Sequence, residues 1–183
     1  MKLTKSEAKY LIESPKRLID IHTWKVVDNR CGCSVTHSFK SRIEIDGTLP
    51  RGIWFRCVKI YGRESDCTFQ LDQEQIKIRS HIPLYRLDWK PSRAHVNGKC
   101  GPEELRGILI PSLTTHEHIC LDNCDDETGF IRFEGLKTAR IIEPDFQTFI
   151  EALRYVCDKL NIQNWDEIPP PIVQGDNLLG SPR

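Results

Sequence analysis

Apolar positions change period twice along this chain, and the changes divide it into a helix, a run of strands and a second helix. Leu3-Thr4-Lys5-Ser6-Glu7 reads as a helix start, with the Thr4 hydroxyl capping the amide three residues on and Glu7 reaching back as a capping box. Ala8, Leu11 and Ile12 follow as an apolar stripe at helical spacing. Pro15 ends or kinks that helix, or restarts it with Ser14 as cap. Asp28 to Ser34 reads as a polar connection. From about Ser38 the period becomes two. Arg42 to Asp46 alternates, Gly47 and Pro50 mark a turn, and Ile53 to Tyr61 is β-branched and aromatic. Cys67 to Asp72 and Gln75 to Ile82 read as two short strands around a tight Asp72-Gln73-Glu74 connection. Leu84 to Trp89 is a further strand, with Pro83 at its start where no ladder amide is lost. Pro91 to Pro111 reads mostly as loop. His116 to Leu121, Gly129 to Gly135 and Thr138 to Ile142 complete the strands.

The period then returns to helical. Pro144-Asp145 opens the element with Asp145 as cap, and Phe146, Phe149, Ile150, Leu153, Val156 and Leu160 form a face wide enough to lie on a sheet. The expected fold is α+β, a mostly antiparallel sheet flanked by N-terminal and C-terminal helices. Residues 1–163 are expected to form one domain, and 164–183 a flexible Pro-rich tail. No glycine-rich nucleotide loop is present.

Composition narrows the field only slightly. Lys plus Arg and Asp plus Glu both total 26, so the net charge is zero and attraction to nucleic acid must come from a local patch. No apolar stretch is long enough to cross a bilayer, and the polar start lacks a secretory pattern. A cytoplasmic protein without membrane contact is expected, its eight cysteines reduced and Cys57 and Cys157 buried as small hydrophobes. Cys31-Gly-Cys33 and the Cys120/Cys124 pair do not have zinc-finger spacing.

Chemistry concentrates in two segments. In His116-Glu117-His118-Ile119-Cys120-Leu121, strand alternation sets His116, His118 and Cys120 on one face. Two such imidazoles suit general acid–base work, because their ordinary pKa lets one be neutral while the other is charged. They also suit a metal, with Cys120 as a third ligand, or simple solvated positions on an open sheet. In Leu84 to Trp89, Arg86 and Asp88 share a face opposite Tyr85, Leu87 and Trp89. Arg86 can hold an anionic group with its planar fork, and Asp88 can orient an imidazole; an ordinary ion pair is the plainer reading. His95 and Asn97 follow in the loop. Arg79, Trp89, Lys90 and Arg93, with Lys77 and Tyr85 nearby, interleave cations and rings as single-stranded nucleic-acid binders do.

Leu3-Thr4, Glu7-Ala8, Arg86-Leu87-Asp88, His95, Asn97-Gly98 and His116-Glu117-His118, in that order, resemble a small bacterial family of unknown function often found among mobile elements. The Arg-x-Asp, His and His-x-His order also resembles the TumE-type toxins of toxin–antitoxin pairs. The similarity spans the first two thirds of the chain. It departs at Val96-Asn97-Gly98, where Asn-Pro-Asp-Gly is expected, and in the long polar loop from Lys99 to Thr115. The resemblance implies a toxin-like or defence-associated role. The expected activity is metal-independent RNA cleavage with no cofactor: His116, His118 and His95 exchange protons, and Arg86 and Asp88 support them. The alternative is a non-catalytic binding or regulatory subunit. Expected partners are RNA and a protein, either an antitoxin or a defence-complex subunit.

Overall fold

The computed structural model describes residues 3–28, 35–63, 65–75, 80–123 and 136–171. The elements run α1 (Lys5–Glu13), β1 (Lys16–Ile19), β2 (Lys25–Asp28), β3 (Val35–Ile45), β4 (Ile53–Ile60), β5 (Cys67–Gln75), β6 (Ser80–Trp89), β7 (His95–Val96), β8 (Leu109–Ile110), β9 (His116–Ile119), β10 (Arg140–Ile141) and α2 (Phe149–Lys159). Eight strands form one antiparallel sheet in the order β1-β3-β4-β5-β6-β9-β10, with β2 also paired to β3. β7 and β8 pair separately as a small hairpin. The fold is α+β, as the periodicity indicates.

Strand alternation gives the sheet two unlike faces. Phe39, Phe55, Phe69, Tyr85 and Leu87 point to one side and are at most 1% exposed. They pack with Ala8 and Ile12 of α1 and with Leu153, Val156 and Cys157 of α2 in a single core. Each fully buried Phe or Leu contributes roughly 1.5–3 kcal/mol of transfer free energy there. Cys57 and Cys157 are completely buried, and burial pushes both thiols up, so they act as the expected small hydrophobes. No helix among the described residues is long and apolar enough to cross a membrane.

Several boundaries differ from the sequence reading. Pro15 ends α1 and leads straight into a strand. β1 and β2 lie in a stretch where charged residues hide the alternation. Asp72-Gln73-Glu74 is no turn: β5 runs through it to Gln75, and β6 runs from Ser80 to Trp89 with Pro83 inside. Asp72 pairs with Pro83 while Leu71 pairs with Tyr85, so Leu84 is the extra residue of a bulge. The bulge places Ile82 and Tyr85 on the same buried side despite their odd separation, and a bulge is where a strand accommodates proline. Thr148, not Asp145, caps α2, forming a capping box with Glu151. Residues 164–171, the described part of the expected 164–183 tail, are packed against the domain. Asn164 brackets Leu18, accepting from its amide at 2.8 Å, the Trp24 indole donates to the Pro169 carbonyl at 2.7 Å, and Ile168 is buried. Residues 172–183, the expected Gly129–Gly135 strand, Cys31, Cys33 and Cys124 lie outside the described residues.

Candidate functional site

The second face of the sheet is polar. It carries Lys40 and Arg42 of β3, Trp54 and Arg56 of β4, Thr68, Gln70 and Asp72 of β5, Arg86 and Asp88 of β6, and His116 and His118 of β9. The pairing register lines up Lys40, Arg56, Gln70, Arg86 and His118 as one row across five strands. At about 4.8 Å per strand the row is roughly 19 Å long. Arg56 binds Asp72 at 2.6 Å and Arg86 binds Asp88 at 2.8 Å, both through Nε, so the outer ends of the two guanidinium forks remain. Their side chains are 38% and 42% exposed. Lys40 Nζ sits 3.7 Å above the Trp54 ring.

The β7–β8 hairpin covers the β9 end of this face and brings His95 onto it. His95 lies against His116 (ring centroids 5.4 Å apart) and edge-on to His118 (4.9 Å), and those two are 5.2 Å apart. One ring nitrogen from each lies within 4.8 Å of the others. Of the expected site residues, His95, His116, His118, Asp88 and Arg86 therefore converge. His116 and His118 are 2% exposed, and His95 is half-buried. Burial, then the charges of His118 and His116, lowers the pKa of His95.

Hydrogen bonds place one proton on each of two of these rings. His95 Nε2 is 3.0 Å from Asn97 Oδ1 and 3.2 Å from the Lys137 carbonyl, both acceptors, so Nε2 carries the proton and Nδ1 the lone pair. The Asn97 orientation is unambiguous: its amide donates to the Leu105 and Ala139 carbonyls, and its oxygen accepts from the Ala139 amide. His116 Nδ1 donates to the Thr114 carbonyl at 2.8 Å, which leaves Nε2 as the lone-pair atom of the neutral ring. That Nε2 is 3.4 Å from Asp88 Oδ2, and His118 Nε2 is 3.3 Å from the same oxygen. Neither nitrogen of His118 has a hydrogen-bond partner, although both are buried. Asp88 Oδ1 accepts from Thr68 at 2.7 Å and from Arg86. Burial works to raise the Asp88 carboxyl but is outweighed by the two close imidazoles and the Arg86 guanidinium, which hold it well below the usual carboxylate range.

The expected nucleic-acid contacts fare differently. Trp89 is 2% exposed and its indole donates to the Phe146 carbonyl, so it is a core residue and cannot stack on a base. Tyr85 is likewise buried. Strand parity explains both, since they face the helices with Leu87. Lys90 is paired with Asp145 at 3.1 Å across a depression of about 450 Å³ beside Thr114 and Thr115. Arg93 is exposed, and Arg79 lies outside the described residues. Cys120 starts a 3₁₀ turn after β9 and is buried in the core, away from the histidines. Sequence reasoning missed Trp54, Arg56, Thr68 and the carbonyls of Thr114 and Lys137. The first three were legible as outward positions of alternating strands, whereas backbone carbonyls leave no mark in a sequence. No family model, curated protein or solved structure matches this chain.

Proposed function

We propose that the protein cleaves phosphodiester bonds of single-stranded RNA at the His95, His116, His118, Asp88 and Arg86 centre, as a toxin-like or defence-associated enzyme of the cytoplasm. The cross-strand row supports this reading most directly. It leads a line of cations and donors, Lys40, Arg56, Gln70 and Arg86, up to His118. A phosphate backbone is recognised by such a line of partly exposed guanidinium forks, and beside it lies the half-buried Trp54, one side of whose ring Lys40 covers. Arg86 is placed to neutralise charge developing on the attacked phosphorus group. The histidines supply the group that activates the attacking oxygen.

Burial of His116 and His118 favours a second reading, a non-catalytic subunit that binds RNA or a protein partner through the same face. End-labelled single-stranded RNA incubated with purified protein separates the two. Cleavage is expected, reduced on the order of 10²–10³-fold in Arg86→Ala by loss of charge stabilisation. RNA that is bound but never cut would establish the binding subunit. Cleavage unchanged in both Arg86→Ala and His95→Ala would remove the centre from the reaction.

A further inference from the structure

Asp88 Oδ2 lies 3.4 and 3.3 Å from the Nε2 atoms of His116 and His118, longer than the roughly 2.7–2.9 Å of a strong charge-assisted hydrogen bond. His116 Nε2 presents a lone pair in the neutral ring, and at 3.4 Å it faces an anionic oxygen that also presents lone pairs. His118 Nε2 is as close to that oxygen, at 3.3 Å, without hydrogen-bond geometry. Electron-rich atoms held together in a buried place repel unless a proton or a metal cation sits between them. The spacing is informative. Two ligands at 2.0–2.1 Å from a tetrahedral zinc ion are about 3.4 Å apart. Both contacts have that length.

The surroundings agree. Histidines that bind metal commonly donate their other ring N–H to a carbonyl, which fixes the tautomer and turns the free nitrogen inward. Thr114 does this for His116, and Lys137 and Asn97 do it for His95. Thr68 and Arg86 occupy Asp88 Oδ1 and leave Oδ2 to face the cluster.

We propose that His95, His116, His118 and Asp88 bind one zinc ion. Asp88 Oδ2 and the Nε2 atoms of His116 and His118 form the preset face of the tetrahedron. His95 closes the fourth position. The nitrogens of the three histidines lie within 4.8 Å of one another, so one ring must move inward by about an ångström or more, and His95, the least buried of the three, is the ring assigned that movement. Its side of the ion is where a substrate oxygen can enter, as a fifth ligand or in place of the ring. Three imidazoles and one carboxylate suit zinc better than the oxygen-seeking magnesium or calcium. This assignment deepens the proposed function and replaces the expectation of metal-independent chemistry with a metal-centred one.

The test is binding of the metal itself to the full chain. Protein purified without chelator is analysed for metal, stripped, and titrated with zinc against a chromophoric competitor; cobalt(II) then reports the ligands. One zinc per chain is expected, together with the visible bands of four-coordinate cobalt and no sulfur-to-cobalt charge transfer. His118→Ala and His95→Gln should each weaken zinc binding by at least about a hundredfold, a loss at or beyond that from removing an outer-shell partner. His95→Gln lies on the half-exposed hairpin and serves if His118→Ala fails to fold, which thermal melting reports. Absence of stoichiometric metal, preference for another metal, thiolate bands, or unchanged affinity in His95→Gln would each overturn the proposal. RNA cleavage is read separately. Zinc bound without cleavage defeats the enzymatic reading alone, and cleavage by metal-free protein defeats the zinc site alone.

Discussion

Asp88 and Glu117 are two buried carboxylates on neighbouring strands, 4% and 5% exposed, facing opposite sides of the sheet. Glu117 is fully engaged. The Tyr85 hydroxyl donates to its Oε2 at 2.9 Å, the Tyr155 hydroxyl at 3.4 Å, and Lys159 lies 3.4 Å from Oε1. Burial and the Glu117 charge push Tyr85 well above its usual range and Tyr155 up to about 12, so both remain donors at ordinary pH. The Thr68 and Arg86 bonds to Asp88 fall on Oδ1, and Oδ2 has the long contacts to His116 and His118, at 3.4 and 3.3 Å. A buried charge costs several kcal/mol to desolvate and persists when its partners are complete. Glu117 has its partners within the protein and ties α2 to the sheet. Asp88 keeps one oxygen turned to the histidines, as the proposed zinc site requires.

The contrast can be broken from either side. Glu117→Ala removes the acceptor of two tyrosine hydroxyls and a lysine, and should cost about 3 kcal/mol in chemical denaturation, with zinc affinity unchanged. Equal loss of zinc binding would show that the two acids are not separate in role. Asp88→Asn should do the reverse, weakening zinc by about a hundredfold or more in the competition titration while altering stability less than Glu117→Ala does. A buried cation offers a third case. Lys16 donates to the carbonyls of Ile12, Ser14 and Leu160 at 2.6–2.8 Å, tying α1 to the end of α2. Lys16→Met should cost about 2 kcal/mol by leaving those carbonyls without a donor, again with no effect on zinc.

Burial lowers Lys16 to about 8, with Asp46 and Glu13 pulling the other way. An unfolded lysine titrates near 10.4, so between those values the unfolded chain holds more protons than the native one. The Lys16 contribution therefore rises from pH 8 to pH 10, so the stability gap between wild type and Lys16→Met in denaturant melts should widen over that range, while the raised thiols of Cys57 and Cys157 lower the stability of both proteins alike. The smallest effect is expected for Lys159→Met. Its side chain is 42% exposed, so the ion pair with Glu117 is worth less than about 1 kcal/mol. A loss as large as that of Glu117→Ala would mean that the lysine, not the tyrosines, holds Glu117.

Much of the sheet and both helices were legible because burial enforces a period. The capping box at Thr4 and Glu7 is present, and Arg86 and Asp88 share a face with His116 and His118 as alternation requires. The same alternation put Trp89 inward with Leu87; its identity as an aromatic near cations was a weaker signal than its parity. Pro83 misled because a proline within a strand is tolerated only with a bulge, and a bulge is a property of the pair of strands, not of one. His95 reached the site through a hairpin of two-residue strands, too short for any periodicity to show. Asn97, buried and holding four backbone and side-chain partners, positions that hairpin, and nothing local in the sequence marks it as buried.

One measurement bears on the centre most directly: anomalous diffraction at the zinc edge from crystals grown with zinc and without chelator. A single strong peak about 2 Å from the ring nitrogens of His116 and His118 and from Asp88 Oδ2, with His95 drawn toward it, is the expected result. A map empty at that place, or a peak among the cysteines, would contradict it.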